Sequence, residues 1–211
     1  MDISLLQFAA FAFVSLFAVI EPLGTLPIYI SMTANLTPRE SRRVALRASL
    51  TALSVLIVFA LTGRIVFDFF GISVNSLRIV GGIVFFIMGY EMLQARLSRS
   101  KLDEETMAEY IEDVAITPLG IPLIAGPGAI TTVILLMNEA RVLEKQILVF
   151  GAIGVVLALT FVFLISAKRV MARLGNSGNK VLLRLMGLIV MAMAVEFFFT
   201  GLRALVPGLT R

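Results

Sequence analysis

Six long apolar blocks alternate with short polar connectors along the chain. They cover residues 3–33, 44–63, 77–95, 114–137, 146–167 and 183–206. An α-helix needs about 20 residues to cross the roughly 30 Å hydrocarbon core of a bilayer, and each block is close to that length or longer. A membrane β-barrel would show short segments of alternating polarity instead. The pattern therefore predicts an all-α membrane protein with six transmembrane helices.

The polar connectors define where helices begin and where the chain divides. Residues 37–40, Thr-Pro-Arg-Glu, have the order of an N-cap, a first-turn proline and a capping-box acid, which predicts the start of the second helix. The longest connector contains the polar, amphipathic run SRSKLDEETMAEYIED. It separates a first three-helix repeat (1–95) from a second (114–211), with residues 96–113 as the polar connector.

Two sequence landmarks recur in the same order in both halves. VIEPLGTLP at 19–27 is matched by AITPLGIPL at 115–123, which repeats Ile, one variable residue and Pro-Leu-Gly. The pattern Leu-Arg-x-x-Gly begins at Leu77 and again at Leu183, and each copy is followed by a lone glutamate. Because three spans is an odd number, the second repeat must cross the membrane upside down relative to the first. This is the inverted-repeat plan of many secondary transporters.

The composition supports the membrane assignment and excludes several chemistries. Hydrophobic residues make up 59% of the 211-residue chain, against about 45–50% in ordinary globular proteins. The chain has no cysteine and no histidine, which excludes disulfides, Cys or His catalysis and the usual zinc sites. It also lacks a paired aspartate motif and Gly-x-Ser-x-Gly. We therefore expect no enzymatic activity and no cofactor beyond a coupling ion, Na⁺ or H⁺.

The basic residues indicate an orientation in the membrane. The net charge is +4, but Lys and Arg lie at block edges, as topology signals do, so we expect no nucleic-acid partner. Twelve of the 18 basic residues fall in the connectors on one side if the N-terminus is outside. The positive-inside rule then predicts an inner-membrane, multi-pass protein with both termini outside the cytoplasm. The start, MDIS, has an acid where a signal peptide has a basic region, so we expect it to be retained.

The two Pro-Leu-Gly phrases predict interruptions in the first and fourth helices. Proline removes a backbone donor, and broken backbone at membrane depth must be buried in protein or line a wet cavity. The alternative is that each phrase is a loop at the membrane surface. In the fourth block the breakers lie within an apolar run that has no charge between Asp113 and Glu139, which favours an interruption.

A substrate site between the two interruptions follows from this arrangement. The run GPGAITT, from Gly126, would begin a half-helix whose first amides and dipole suit a carboxylate. The candidate substrate-binding residues are Pro22, Gly24, Thr25, Pro118, Gly120, Gly126, Pro127, Gly128, Thr131 and Thr132.

Two glutamates are the candidates for ion or proton coupling. A charge at the bilayer centre costs about 2.5–3.5 kcal/mol, so one that is kept there needs a partner, a cavity or a proton. Glu21 beside the first Pro-Leu-Gly and Glu196 deep in the last block fit this role. Glu91 lies near the end of its helix and is expected to be structural. Arg64 and Asp68, four residues apart, are expected to form a helix-end ion pair.

Small residues predict where helices pack closely. Glycines and alanines let backbones approach one another in membranes. The residues concerned are Gly81, Gly82 and Gly89 in the third block, and Gly151, Ala152, Gly154 and Ala158 in the fifth. The sequence leaves open whether the protein also forms a homo-oligomer.

Five stretches carry a resemblance that covers nearly the whole chain: EPLGTLPIYISMT (21–33), FGISVNSLRIVGGI (70–83), PLGIPLIAGPGAI (118–130), RLMGLIVMAMAVEFFFTG (184–201) and PGL (207–209). Through them the chain resembles the MarC family of six-helix inner-membrane proteins, and is most similar to SnatA-type small neutral amino acid transporters. The resemblance implies two inverted three-helix repeats whose broken first and fourth helices meet near the midplane. It also implies transport of glycine- or alanine-like substrates coupled to an ion gradient.

One position departs from that family, and one alternative function stays open. The family usually has Asn or Asp where this chain has Glu21, so the side chain here is longer. The alternative to a transporter is a channel or a non-transporting membrane assembly protein, which would share the lipid bilayer as a partner but would not bind a small neutral amino acid.

Overall fold

The computed structural model describes residues 4–34, 36–63, 65, 69, 71, 73–94 and 104–205. The predicted Arg64–Asp68 ion pair, the first part of the polar connector and the closing PGL lie outside the described residues. Within them the chain is entirely helical and has no strand. The elements are α1 (Leu5–Ile20), α2 (Leu26–Met32), α3 (Pro38–Thr62), α4 (Val74–Leu93), α5 (Glu104–Val114), the broken segment (Ala115–Ile124), α6 (Pro127–Glu139) and α7 (Leu143–Leu205).

In the described part of the chain, three helical stretches are long and apolar enough to cross a membrane. They are α3 and two parts of α7, Leu143–Ala167 and Gly187–Leu205. A fourth is obtained if Met107–Ile124 and α6, which meet at an angle of 58°, form one broken span. The structure is therefore that of an all-helical membrane protein with three or four candidate spans by length and composition. The six spans expected from the sequence stay a prediction.

The predicted start of α3 is confirmed. The Thr37 amide donates to Oε2 of Glu40 (2.7 Å), and the Glu40 amide donates to Oγ1 of Thr37 (3.3 Å). This capping box satisfies two backbone donors that have no partner inside the helix. It explains why α3 begins at Pro38, well before the apolar block at residue 44.

The connector expected after Ala167 is itself helical. Helical backbone continues through the basic stretch after Ala167, where a connector was expected, so that α7 runs to Leu205. Yet Lys145 lies over the ring of Phe8 (5.4 Å), while Glu196 lines a cavity together with Glu21. In a straight helix Lys145 and Glu196 would be about 75 Å apart, whereas α1 is only about 24 Å long. The helix α7 must therefore bend back between these two points.

Polar contacts between α2, α3 and α5 fix the first half of the chain against the broken segment. Arg47 on α3 forms an ion pair with Glu112 on α5. The Tyr110 hydroxyl donates to the carbonyl of Met32 (3.0 Å), and the Tyr29 hydroxyl donates to the carbonyl of Ser41 (2.9 Å). These bonds anchor α5, from which the broken segment continues directly.

Glycines determine how closely α4 packs on the last part of α7. A Cβ added at Gly82 would lie 2.7 Å from the carbonyl oxygen of Ala194, and one at Gly89 would lie 2.8 Å from that of Gly187. These distances leave no room for a side chain, so the predicted packing role of these two glycines is confirmed. By contrast, an added Cβ at Gly151 or Gly154 meets nothing within 4 Å in the part of the chain described. Among the described residues these two are not packing positions.

Gly82→Leu is expected to destabilise the protein because the new side chain meets fixed backbone atoms of α7. Overpacking of this kind costs about 1–3 kcal/mol. The melting temperature of detergent-solubilised protein, followed by size-exclusion chromatography, should fall for Gly82→Leu and stay unchanged for Gly151→Leu. Equal melting temperatures for the two variants would contradict the assigned packing.

Candidate functional site

The first break, residues 21–25, ends α1 and turns the chain into α2. Glu21 has a left-handed backbone (φ 48°), a conformation common after the last residue of a helix, and its amide donates to the carbonyl of Phe17 (3.1 Å). Thr25 closes the turn from the other side. Its amide donates to the carbonyl of Glu21 (3.2 Å) and its hydroxyl to that of Pro22 (2.8 Å). The predicted interruption of the first helix is therefore present.

The carboxyl end of α1 leaves backbone carbonyls available. Pro22 has no N–H, so it cannot donate to the carbonyl of Ala18 as the next turn of a helix would. None of the backbone hydrogen bonds found in the turn ends on Ala18, Val19 or Ile20. The end of a helix that presents free carbonyls carries a partial negative charge. This end of α1 therefore suits a cation.

The broken segment interrupts the fourth apolar block as predicted. Thr117 and Ile121 have extended backbone (φ −130° and −133°), and each precedes a proline in a cis peptide. The Ala125 amide donates to the carbonyl of Gly120 (2.9 Å), which closes a turn wider than that of an α-helix. A Cβ at Gly126 would lie 2.6 Å from the carbonyl oxygen of Pro122, so the turn into α6 requires glycine there.

The amino end of α6 has the opposite polarity to the end of α1. Gly126 is its N-cap residue and Pro127 its first residue, so the helix begins without an N–H at that position. The amides of Gly128 and Ala129, in the first turn, have no acceptor within the helix. Together with the helix dipole they make this end suitable for an anion.

The two helix ends face one cavity of about 360 Å³. Its wall is formed by the end of α1 and the first break, one face of α4, the start of α6 with the turn before it, and the last part of α7. The lining residues are Ala18, Val19, Ile20, Glu21, Gly24, Thr25, Arg78, Gly81, Phe85, Pro122, Leu123, Gly126, Pro127, Gly128, Ala129, Met193, Glu196, Phe197 and Thr200.

Seven of the twelve residues predicted for the site line this cavity. Five come from the candidate substrate-binding set and two from the candidate coupling set, although they are drawn from three separate parts of the sequence. They are Gly24, Thr25, Gly126, Pro127 and Gly128, with Glu21 and Glu196. A Cβ at Gly128 would lie 2.6 Å from Cγ1 of Val19, so α6 and α1 are in close contact here.

The other five predicted residues lie elsewhere. Pro22 and Pro118 are buried in the breaks without reaching the cavity. A Cβ at Gly120 would lie 2.9 Å from the side chain of Thr51, so Gly120 allows close packing of the broken segment on α3. The Thr131 hydroxyl donates to the carbonyl of Pro127 (2.6 Å) within α6, and Thr132 does not line the cavity.

Sequence reasoning missed several cavity residues, of which Arg78 is the most important. We counted it only as a topology signal and a repeat landmark. Its spacing from Gly81 and Phe85 places all three on one face of α4, and all three line the cavity. A basic residue one turn before a glycine stripe in an apolar block was the available signal. Met193 and Thr200, on the cavity face of α7, had no such signal.

Among the residues that the structure describes, three charged ones line the cavity: Glu21, Glu196 and Arg78. They come from three different elements, and they form no ion pair with one another in the described structure. The Glu21 carboxylate folds over the first break, since a Cβ at Gly24 would lie 3.3 Å from its Oε2. With all three ionised, the cavity has one excess negative charge. Glu91 is exposed and does not line the cavity.

Comparison with known proteins identifies a family. The model of the MarC family integral membrane proteins matches residues 6–206. A UPF0056 membrane protein of Pyrococcus abyssi is 40% identical over 95% of this chain and 97% of its own length. The UPF0056 membrane proteins YvbG of Bacillus subtilis (35%, covering 97% of this chain and 98% of the relative) and YhcE of Escherichia coli (32%, covering 93% of each) are also similar.

No solved structure is significantly similar to this chain. The family match and the three relatives nonetheless extend over nearly the whole sequence. The chain therefore belongs to the MarC family of integral membrane proteins.

Proposed function

We propose that this protein is a secondary active transporter of small neutral amino acids, of glycine or alanine size, coupled to an H⁺ or Na⁺ gradient. The observation that carries the proposal is that two helix ends of opposite polarity face the same cavity. The carbonyl end of α1 suits the ammonium of a zwitterion, and the amide end of α6 suits its carboxylate. A small neutral amino acid carries both charges a few ångströms apart.

The size and lining of the cavity support a small substrate. Its volume of about 360 Å³ lies at the lower end of the range of about 300–1,000 Å³ that is usual for ligand pockets. Phe85, Met193 and Phe197 give part of its wall an apolar character. A substrate with a short apolar side chain would place that group against these residues.

The charge of the cavity supports coupling to a cation. A zwitterion adds no net charge, so the excess negative charge left by Glu21, Glu196 and Arg78 persists when substrate binds. One monovalent cation would neutralise this charge. With substrate and cation bound, the cavity would be neutral. The protein could then change conformation and open the cavity to the other side of the membrane.

The proposed architecture is six spans arranged as two inverted repeats, residues 1–95 and 114–211. The helix α1 is about 24 Å long, too short to cross about 30 Å alone, and the first break with α2 would complete that span. The helix α4 has 20 residues, about 30 Å. The bend in α7 would divide it into the fifth and sixth spans. The basic residues support an inner-membrane location with both termini outside the cytoplasm.

The two breaks supply a mechanism for alternating access. Each joins a helix to a half-helix through residues that are not helical, so each can change direction without unfolding a span. In discontinuous transporter helices, free carbonyls and amides at such points bind substrate and ion. Closure of α1 on α6, which already touch at Val19 and Gly128, would shield a bound zwitterion from one side.

Uptake by purified protein in proteoliposomes tests the proposal. We expect accumulation of labelled glycine or alanine only when an H⁺ or Na⁺ gradient is imposed. Imposing the two gradients separately identifies the coupling ion.

A second measurement distinguishes a carrier from a channel. A carrier should show saturable uptake in proteoliposomes and should pass no ionic current across planar bilayers when substrate is absent. An unsaturated ionic current would favour a channel, and no substrate movement at all would favour an assembly role. Chemical conversion of the substrate would contradict our proposal that the protein is not an enzyme.

A further inference from the structure

We propose that Arg78 binds the carboxylate of the transported amino acid, as the main anion-binding group of the cavity. The inference rests on the proposed function and goes beyond it, because it assigns a specific side chain to substrate recognition. It also shifts the principal role in carboxylate binding from the amides at the start of α6 to a charged residue on α4.

The position of Arg78 on α4 places it beside the amino end of α6. Gly81, three residues later on the same face of α4, is the point at which α4 approaches α6, since a Cβ there would lie 3.9 Å from Cγ of Pro127. Arg78 therefore lies one helical turn along α4 from the contact with the first residue of α6. Both Arg78 and the first turn of α6 line the cavity. Because the guanidinium bonds Asn75, on the side of Arg78 away from Gly81, the side chain must turn towards Gly81 to share one anion with the free amides.

The base of the Arg78 side chain is held by its neighbours. A Cβ at Gly201 of α7 would lie 3.2 Å from the Cβ of Arg78 and 2.7 Å from the carbonyl oxygen of Asn75. Nη1 of Arg78 donates to Oδ1 of Asn75 at 3.3 Å. A guanidinium has five N–H donors, so this one bond leaves most of them free. These contacts restrict the Arg78 side chain but leave most of its N–H donors free to bind an anion.

The amides of α6 alone are a weak anion site. Pro127 supplies no N–H, which leaves Gly128 and Ala129 as the donors in the first turn. A guanidinium adds a full positive charge and a planar pair of donors that matches a carboxylate. It also has no ionic partner among the described residues, since neither Glu21 nor Glu196 forms an ion pair with it. The substrate carboxylate supplies that partner.

The sequence repeat provides a matched control. Arg184 occupies the same place as Arg78 in the second Leu-Arg-x-x-Gly motif, but it is exposed and does not line the cavity. If the arginine of each motif serves only the fold, Arg78→Gln and Arg184→Gln should have the same effect on glycine binding. If Arg78 contacts substrate, only its replacement should weaken binding.

Equilibrium binding of labelled glycine to the purified full-length protein tests the inference. Arg78→Gln should weaken binding about 10- to 100-fold, the range expected for loss of a charged hydrogen bond, while Arg184→Gln binds as the wild type does. Glycinamide, which lacks the carboxylate, should compete weakly with glycine at the wild-type protein. Its own affinity should be the same for wild type and Arg78→Gln.

The outcomes separate this inference from the proposed function. If wild type binds glycine and Arg78→Gln binds it equally well, the role of Arg78 is overturned while the proposed function stands. If wild type binds no small neutral amino acid, the proposed function fails and the inference with it. Should Arg78→Gln not fold, Arg78→Lys decides: the loss of paired donors should weaken glycine binding about tenfold, and unchanged affinity overturns the inference.

Discussion

Glu196→Gln is expected to abolish concentrative uptake while glycine binding persists. The substitution removes one negative charge, so Glu21 and Arg78 then balance and the cavity no longer requires a cation. With one cation coupled per substrate, a potential of 100 mV supplies about 2.3 kcal/mol, which corresponds to roughly 50-fold accumulation. In Glu196→Gln proteoliposomes the ratio of internal to external glycine should fall to about one, reached with or without the gradient.

Glu91→Gln is the matched control for this experiment. Glu91 is the lone glutamate that follows the first Leu-Arg-x-x-Gly motif, as Glu196 follows the second, but it does not line the cavity. Its replacement should leave accumulation unchanged. Equal accumulation by Glu196→Gln and wild type would show that Glu196 does not set the charge balance. Loss of accumulation in both variants would indicate a nonspecific effect of removing a charge.

Gly126→Leu is expected to abolish uptake by displacing the start of α6. The new Cβ would lie 2.6 Å from the carbonyl oxygen of Pro122, a backbone atom in the same turn, and relief of that clash must move one side of the turn. This movement displaces the free amides at the start of α6 and changes the wall of the cavity. We expect initial rates of gradient-driven glycine uptake to fall at least about 10-fold, consistent with an overpacking cost of about 1–3 kcal/mol.

Gly154→Leu controls for the bulk of the new side chain. An added Cβ at Gly154 meets nothing within 4 Å in the described structure, so this variant should transport at the wild-type rate. Vigorous uptake by Gly126→Leu that needs no gradient would contradict the proposed mechanism. A lower rate in both variants would indicate that the substitutions act through the membrane surface of the protein instead.

Local sequence signals predicted the features that depend on a few neighbouring residues. The capping box at Thr37 and Glu40 defines the start of α3 by itself, and prolines end helices regardless of the rest of the fold. Both interruptions could therefore be located from sequence. The sequence repeat also predicted that the two interruptions contribute to one cavity, because equivalent breaks in two halves of a membrane protein point to a shared site.

The residues missed from the sequence depend on contacts between distant elements. Arg78 became a candidate only when α4 was seen to pass beside α6 and the last part of α7. That arrangement follows from glycine pairs such as Gly89 and Gly187, whose partners cannot be read from either helix alone. Likewise, Gly120 and Gly126 are equally good helix breakers in the sequence. Only the path of the broken segment shows that one contacts α3 and the other lines the cavity.

The course of α7 shows that polarity locates two candidate spans but does not tell whether the stretch between them is helical. A stretch rich in basic residues after Ala167 predicted a connector, but Lys and Arg have high helix propensity and the backbone stays helical there. Polarity reports which residues avoid lipid, and it does not report whether a polar stretch is helical. The bend required by the contacts of Lys145 and Glu196 is a property of the tertiary structure.

Density maps of the protein in a lipid environment, determined with and without saturating glycine, test whether the cavity binds substrate. We expect additional density between the first break and the start of α6, with its carboxylate end towards Arg78 and its ammonium end towards Glu21. Identical maps of the cavity at a glycine concentration that saturates uptake, or glycine density at another place in the protein, would contradict this expectation.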